Sequence, residues 1–130
     1  MYCIVHCFVI IFVLHGSIYP KMNIENTKAQ MKKGVLEYCI LSVLSGKEAY
    51  PSDIIAILKE SKLIVAEGTL YPLLTRLKNA GLLTYRWEES SSGPPRKYFS
   101  LTTPGQNFKS ELDKTWHELK TAVDKATSHT

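Results

Sequence analysis

Hydroxyl and cationic side chains crowd one stretch of the chain. Thr69, Tyr71, Thr75, Arg76 and Lys78 come first, with the helix-disfavouring Pro72 among them. Behind a Ser/Gly/Pro loop follow Pro94, Pro95, Arg96 and Lys97. Groups of these types donate to or neutralise phosphate oxygens, and arginine or lysine can read a guanine edge. Glu67, Gly68 and Thr69 open the run, where small or polar residues let backbone N–H groups face a phosphate. Glu67 then has to point away from phosphate or accept from a cytosine. Taken singly, each residue is more often a solvated group on an ordinary small domain. On one helix and the hairpin behind it, together they point to double-stranded DNA.

Other chemistry finds little support. His117 and His129 lack the Cys or carboxylate spacing of a zinc site. No Gly-rich phosphate loop follows a strand, and no Ser, Cys or Thr has an evident local base. Asp53, Glu88 and Glu89 read as surface carboxylates. The expectation is a non-enzyme with no catalytic residues, no metal and no cofactor. Net charge is +4 over 130 residues, which permits a nucleic-acid partner but is too mild to demonstrate one. Hydrophobic residues are 45% and charged residues 22%, the composition of a globular chain with one modest core. Three cysteines, Cys3, Cys7 and Cys39, form no closed disulfide framework. Cys39 reads as a small buried hydrophobe, and a reducing cytoplasm is the simplest compartment.

Periodicity supplies the elements that would position these groups. Asn23–Lys33 reads as a short polar helix or arm. A first helix over 34–45 puts Val35, Leu36, Cys39, Ile40, Val43 and Leu44 on one face, and Gly46 stops it. Pro51 opens a second helix to about Glu60, burying Ile54, Ile55, Ile57 and Leu58. Leu63-Ile64-Val65 is short and branched, predicting a strand paired with the hairpin. The third helix, over 67–80, buries Leu70, Leu73, Leu74 and Leu77 and ends at Gly81. Pro72 lies past its first turn, where it costs a hydrogen bond. A hairpin pairs 82–89 with 96–101, leaving Ser90–Pro95 as a flexible tip. The order is that of a winged helix-turn-helix: mostly α with a small β-hairpin wing, an α+β fold.

Thr102 or Thr103 caps the last helix, with Pro104 in its first turn, and it runs to about Ala126. Leu112, Trp116, Leu119, Val123 and Ala126 recur at heptad spacing, narrower than a globular core face. This seam predicts a partner helix, most simply a second copy, with Leu112, Trp116, Leu119 and Val123 as dimerisation residues. Trp116 is either packing in that seam or the wall of a flat pocket for an aromatic ligand.

Residues 1–21 stand apart: apolar from Tyr2 to Leu14, with no basic start and too short to span a bilayer. They read as a mis-called N-terminal extension, with Met22 the true start. A weak signal or short anchor, or an ordered N-terminal element, are the alternatives. No stable membrane association is expected. The domain reading is then 22–101 for DNA binding and 102–130 for the dimerisation helix.

GTLYPLLTRLKNAGLL at Gly68–Leu83 and SGPPRKYFSLTTPG at Ser92–Gly105, with a Trp in the first wing strand, resemble the PadR family of bacterial transcriptional regulators. The likeness extends over nearly all of Met22 to about Ala126. It implies a homodimeric winged-helix repressor, with Thr69, Tyr71, Pro72 and Arg76 on the recognition helix and Pro94, Pro95, Arg96 and Lys97 on the wing. The single short C-terminal helix resembles the smaller subfamily. Several of its members carry a tryptophan near the position of Trp116 that faces a central pore for planar, often cationic drugs; phenolic acids are effectors elsewhere in the family. One departure is Ala66, where a Ser-type cap would be usual, so the cap has to come from elsewhere. The function expected is a sequence-specific DNA-binding regulator responsive to a small molecule or stress. Its rival is a winged-helix ligand-binding or protein-interaction module that has lost DNA.

Overall fold

Asn23 shows why the chain turns helical earlier than its apolar pattern suggests. Its side-chain oxygen accepts from the backbone N–H of Glu25 at 2.9 Å and of Asn26 at 3.4 Å, a side-chain cap on a segment rich in Lys, Ala, Gln and Met. The computed structural model, which describes residues 21–63 and 65–129, therefore begins with a helix α1 over Ile24–Val43. The polar arm and the first expected helix are one element, and its end comes at Val43 rather than Ser45. The chain divides after Lys32 into two units. In the first, Lys28 pairs with Glu25 at 2.9 Å along the helix surface.

The second unit carries the rest. Gly46 adopts φ +76° after α1, a left-handed turn that suits glycine. Helix α2, Pro51–Glu60, starts on proline. The Tyr50 N–H donates to Asp53 Oδ2 at 3.2 Å, and the Asp53 N–H to the Tyr50 carbonyl at 2.9 Å. Ile54 and Leu58 are buried, while Ile55 and Ile57 are only half-buried. Helix α3 is Glu67–Asn79, then β1 Leu83–Ser90, β2 Gly93–Leu101 and α4 Thr103–Thr127. The core gathers Leu36, Ile40 and Leu41 of α1 with Ile54, Leu70 and Leu74. Cys39 is half-buried against it, and desolvation pushes its thiol pKa up, as befits a packing residue.

Two expectations are corrected. Leu63 and Val65 are not in a strand; Ile64 lies outside the described residues. Lys62, at φ 66°, turns the chain sharply. The Lys62 N–H then donates to Lys59 O at 3.0 Å and the Leu63 N–H to Leu58 O at 2.7 Å. This Schellman closure consumes the N–H that a strand there would need. The third strand position falls instead to Ala49, which exchanges both backbone hydrogen bonds with Phe99 at 3.0 and 2.9 Å.

The second correction concerns the hairpin tip. Ser90 pairs with Gly93, so the turn is only Ser91-Ser92, and Pro94 and Pro95 lie within β2. The register passes from Glu88↔Arg96 to Ser90↔Gly93, so both prolines oppose Glu89 alone. A bulge tolerates residues without N–H groups, which a regular ladder would not.

Candidate nucleic-acid interface

The orientation of α3 follows from its leucines. Leu70, Leu74 and Leu77 are buried, and Leu73 is half-buried at the edge of the stripe. Thr69, Tyr71, Pro72, Thr75, Arg76 and Lys78 consequently face outward and are exposed. Ala66 at the N-cap offers no side-chain hydrogen bond, and no other side chain among the described residues replaces it. At the other end, Gly81 (φ +78°) lets the Leu82 N–H reach Leu77 O at 3.0 Å, turning the chain straight into β1. Pro72 has no N–H for the carbonyl of Gly68, itself an exposed residue. The Thr75 hydroxyl donates back to Tyr71 O at 3.0 Å, so it is anchored to its own helix.

The cations of this surface divide into two kinds. Arg76 is ion-paired with Glu37 of α1. Arg86 is held by Glu48 at 2.8 Å and Glu88 at 3.2 Å. Its hydrogen bond to Glu48 lowers the Glu48 carboxyl pKa and raises that of the guanidinium. Arg96 and Lys97, by contrast, have no carboxylate partner among the described residues. They rest on aromatic rings: Arg96 at 5.1 Å from the centroid of Tyr50, Lys97 at 4.5 Å from Tyr85 and 5.0 Å from Trp87. Such contacts hold a cation in place while leaving its charge unneutralised. Lys78 lies 5.5 Å from the Tyr85 ring, joining α3 to the same platform.

Between the start of α2, the middle of α3 and β2 lies a cleft of about 300 Å³, lined among others by Tyr50, Tyr71, Thr75, Pro95, Arg96 and Lys97. Burial raises the Tyr71 pKa, with Glu67 and then Tyr50 adding to the shift. Its hydroxyl is thus a firm proton donor at neutral pH. Of the expected residues, the cleft brings together Tyr71, Thr75, Pro95, Arg96 and Lys97; Thr69, Pro72, Arg76, Lys78 and Pro94 are exposed but do not line it. Sequence reasoning missed Tyr50, Tyr85 and Trp87. For the last two a signal existed: their i, i+2 spacing puts both on one face of a strand. Tyr50 carried none beyond its place before Pro51.

The expected seam of α4 is only partly free. Leu112 packs against the protein's own core, whereas Trp116, Leu119 and Val123 are 38%, 50% and 49% exposed. Phe108, not singled out from the sequence, joins the exposed apolar set. Among the described residues no group of three or more His, Cys, Asp or Glu is placed to hold a metal ion. No described helix is long and apolar enough to cross a membrane.

Residues 40–111 match the family described as Transcriptional regulator PadR-like. A PadR-like transcription factor from Bacteroides fragilis is 58% identical, with 78% of this chain and 98% of that one covered and a TM-score of 0.67. A PadR family regulator from Eggerthella lenta is 30% identical over 82% and 94% of the two chains, with a TM-score of 0.74. Bacillus subtilis PadR, solved in complex with operator DNA, is 27% identical, covering 60% of this chain and 46% of its own, with a TM-score of 0.56. The chain belongs to the PadR-like family of transcriptional regulators, proteins that do not act by catalysing a reaction.

Proposed function

We propose that the protein is a homodimeric, sequence-specific DNA-binding repressor whose affinity responds to a small aromatic effector or to stress. The observation that carries this reading is the pair Arg96 and Lys97, pinned on aromatic rings without a carboxylate partner among the described residues, beside the outward polar face of α3. The operator complex of the Bacillus subtilis relative supports it. Residues 22–101 form the DNA-binding domain and 102–130 the dimerisation helix; residues 1–20 lie outside the described residues. Each α3 enters a major groove, with Thr69, Tyr71, Pro72, Thr75, Arg76 and Lys78 toward the duplex and Pro94–Lys97 on the neighbouring backbone. The two grooves lie about 34–36 Å apart in a dimer. Arg76 exchanges Glu37 for DNA on binding. The exposed Trp116, Leu119 and Val123 pack against a second copy of α4, and Trp116 walls the effector site. The effector acts by a difference in affinity between two dimer states. The chain works where the DNA is, in the cytoplasm.

Fluorescence polarisation on the protein's own upstream DNA and on scrambled DNA, across a salt series, tests this. Preference for the upstream DNA and a steep loss of affinity with salt are expected. Arg96→Ala with Lys97→Ala flattens the salt slope by up to about 2. Tyr71→Ala loses binding to both DNAs. A folded protein that ignores both DNAs would refute the reading.

A further inference from the structure

The cleft beside the wing has features that the contact surface of α3 does not explain. Its charged lining side chains, Arg96 and Lys97, are both positive. Neither the Tyr50 nor the Tyr71 hydroxyl has a hydrogen-bond partner among the described residues, although Tyr50 is half-buried. Of the other cations nearby, Arg76 and Arg86 are paired with carboxylates, and Lys78 lies on the Tyr85 ring outside the cleft. The arrangement is two phenolic donors and an unneutralised guanidinium around a recess larger than a phosphate group. Its walls come from the start of α2, the middle of α3 and the strands of the hairpin rather than from its turn.

We propose that this cleft seats one backbone phosphodiester of the bound DNA, with Tyr50 as a contact residue that no α3 or wing assignment includes. The Tyr50 and Tyr71 hydroxyls donate to the phosphate oxygens, and Arg96 neutralises the charge. Tyr50 also serves as a support, because its ring is the surface on which the Arg96 guanidinium rests at 5.1 Å. It stands at the N-cap of α2 and next to Ala49, whose backbone is bonded to Phe99 of β2. One residue thereby ties the helix-turn-helix to the wing and fixes the wing cation relative to α3. Tyr71 is protonated at neutral pH as tyrosines ordinarily are, and its pKa is raised further, which suits a donor to an anion. A phosphate contact carries no base information, so the site sets register and affinity, not sequence choice.

This inference rests on the DNA-binding reading, and the experiment separates the two. The full chain and its Tyr50→Phe and Tyr50→Ala variants are titrated against upstream and scrambled DNA over a salt series. Thermal melting confirms folding of each. Tyr50→Phe keeps the ring under Arg96 and removes only the hydroxyl. It should weaken both DNAs by about tenfold, the worth of one hydrogen bond to a charged group, with the salt slope unchanged. Tyr50→Ala should weaken both further and lower the slope by up to about 0.9, because Arg96 loses its seat. Upstream duplexes carrying a single methylphosphonate at successive positions should show one position that penalises the native chain more than Tyr50→Phe, which keeps Tyr71 and Arg96 on the same phosphate. Tyr50→Phe with native affinity, or with no such position, overturns the phosphate site if the Arg96/Lys97 double variant still loses binding. If that double variant also binds as the native chain does, the DNA assignment of the wing falls with it.

Discussion

Helices α3 and α4 are both amphipathic, and they use their faces in opposite ways. In α3 the leucines are buried, Leu74 at 1% exposure, and the polar side is left open. In α4 much of the polar side is also open, but Trp116, Leu119 and Val123 are uncovered as well. The reason lies in what stands over each helix. α3 packs against the hairpin that follows it, whereas among the described residues no element covers Trp116, Leu119 and Val123 of α4. The contrast teaches that an apolar stripe marks a surface to be covered without saying by what. In α3 the protein's own core covers it and the other face is offered outward. In α4 the apolar face itself is offered.

The same substitution on the two helices breaks this comparison most directly. Leu74→Ala should cost about 2–5 kcal/mol of stability, independent of protein concentration, because it opens a cavity in the core. Leu119→Ala should cost within about 0.5 kcal/mol at high dilution. It should also reduce self-association, seen as a smaller concentration dependence of Tm and a lower mass in sedimentation. Equal, concentration-independent losses would place α4 in the same class as α3.

Gly105→Ala is expected next in size. A Cβ there would lie 2.1 Å from the Leu82 carbonyl oxygen, a backbone atom that cannot swing aside. This is the joint between the regions: the Thr102 hydroxyl accepts from the Gly105 N–H at 3.0 Å and donates to Gly81 O at 2.6 Å. The cost should be about 1–3 kcal/mol, measurable by denaturant midpoint, and native stability would show that α4 can leave its seat freely.

The smallest effect concerns how α4 is tethered. The Tyr38 hydroxyl donates to Asp113 Oδ1 at 2.5 Å, and Lys109 Nζ to Oδ2 at 2.9 Å. The hydrogen bond from Tyr38, then that from Lys109, lowers the Asp113 pKa, while the bond to Asp113, with desolvation, raises that of Tyr38. The stabilisation from Asp113 is therefore present above the ordinary carboxylate range and lost as pH falls through its lowered value. That from Tyr38 is present below the ordinary tyrosine range and lost as pH rises through its raised value. Asp113→Asn should lower the neutral plateau of a Tm–pH curve slightly and so flatten its acid limb, with the two proteins converging at acid pH. An acid limb identical to the native one would remove this tether from the account.

Much of this was legible before any coordinates. The leucine spacing of α3, the Thr102–Pro104 start of α4 and the alternation in β1 depend on residues a few positions apart, and local periodicity reports them directly. That Asn23–Lys33, read as a short helix or arm, runs on unbroken into the next helix was missed because its first turns have no apolar face to show the register, only a cap at Asn23. Leu63–Val65 was missed because branched residues favour strands, while the left-handed turn at Lys62 spends the N–H that pairing needs. The bulge at Pro94-Pro95 was missed because register is a property of two strands together.

What the sequence by itself determined is helices α2, α3 and α4 and the existence of the hairpin, the polar and cationic chemistry of α3 and the wing, and the resemblance that places the chain in its family. Each is written in short-range pattern. Only the tertiary structure decided which cations are spent on the protein's own carboxylates, as Arg76 on Glu37 and Arg86 on Glu48, and which rest unneutralised on rings, as Arg96 on Tyr50 and Lys97 on Trp87. Those partners are far apart along the chain or face each other across a hairpin. Chain connectivity does not choose among them; packing of the core does.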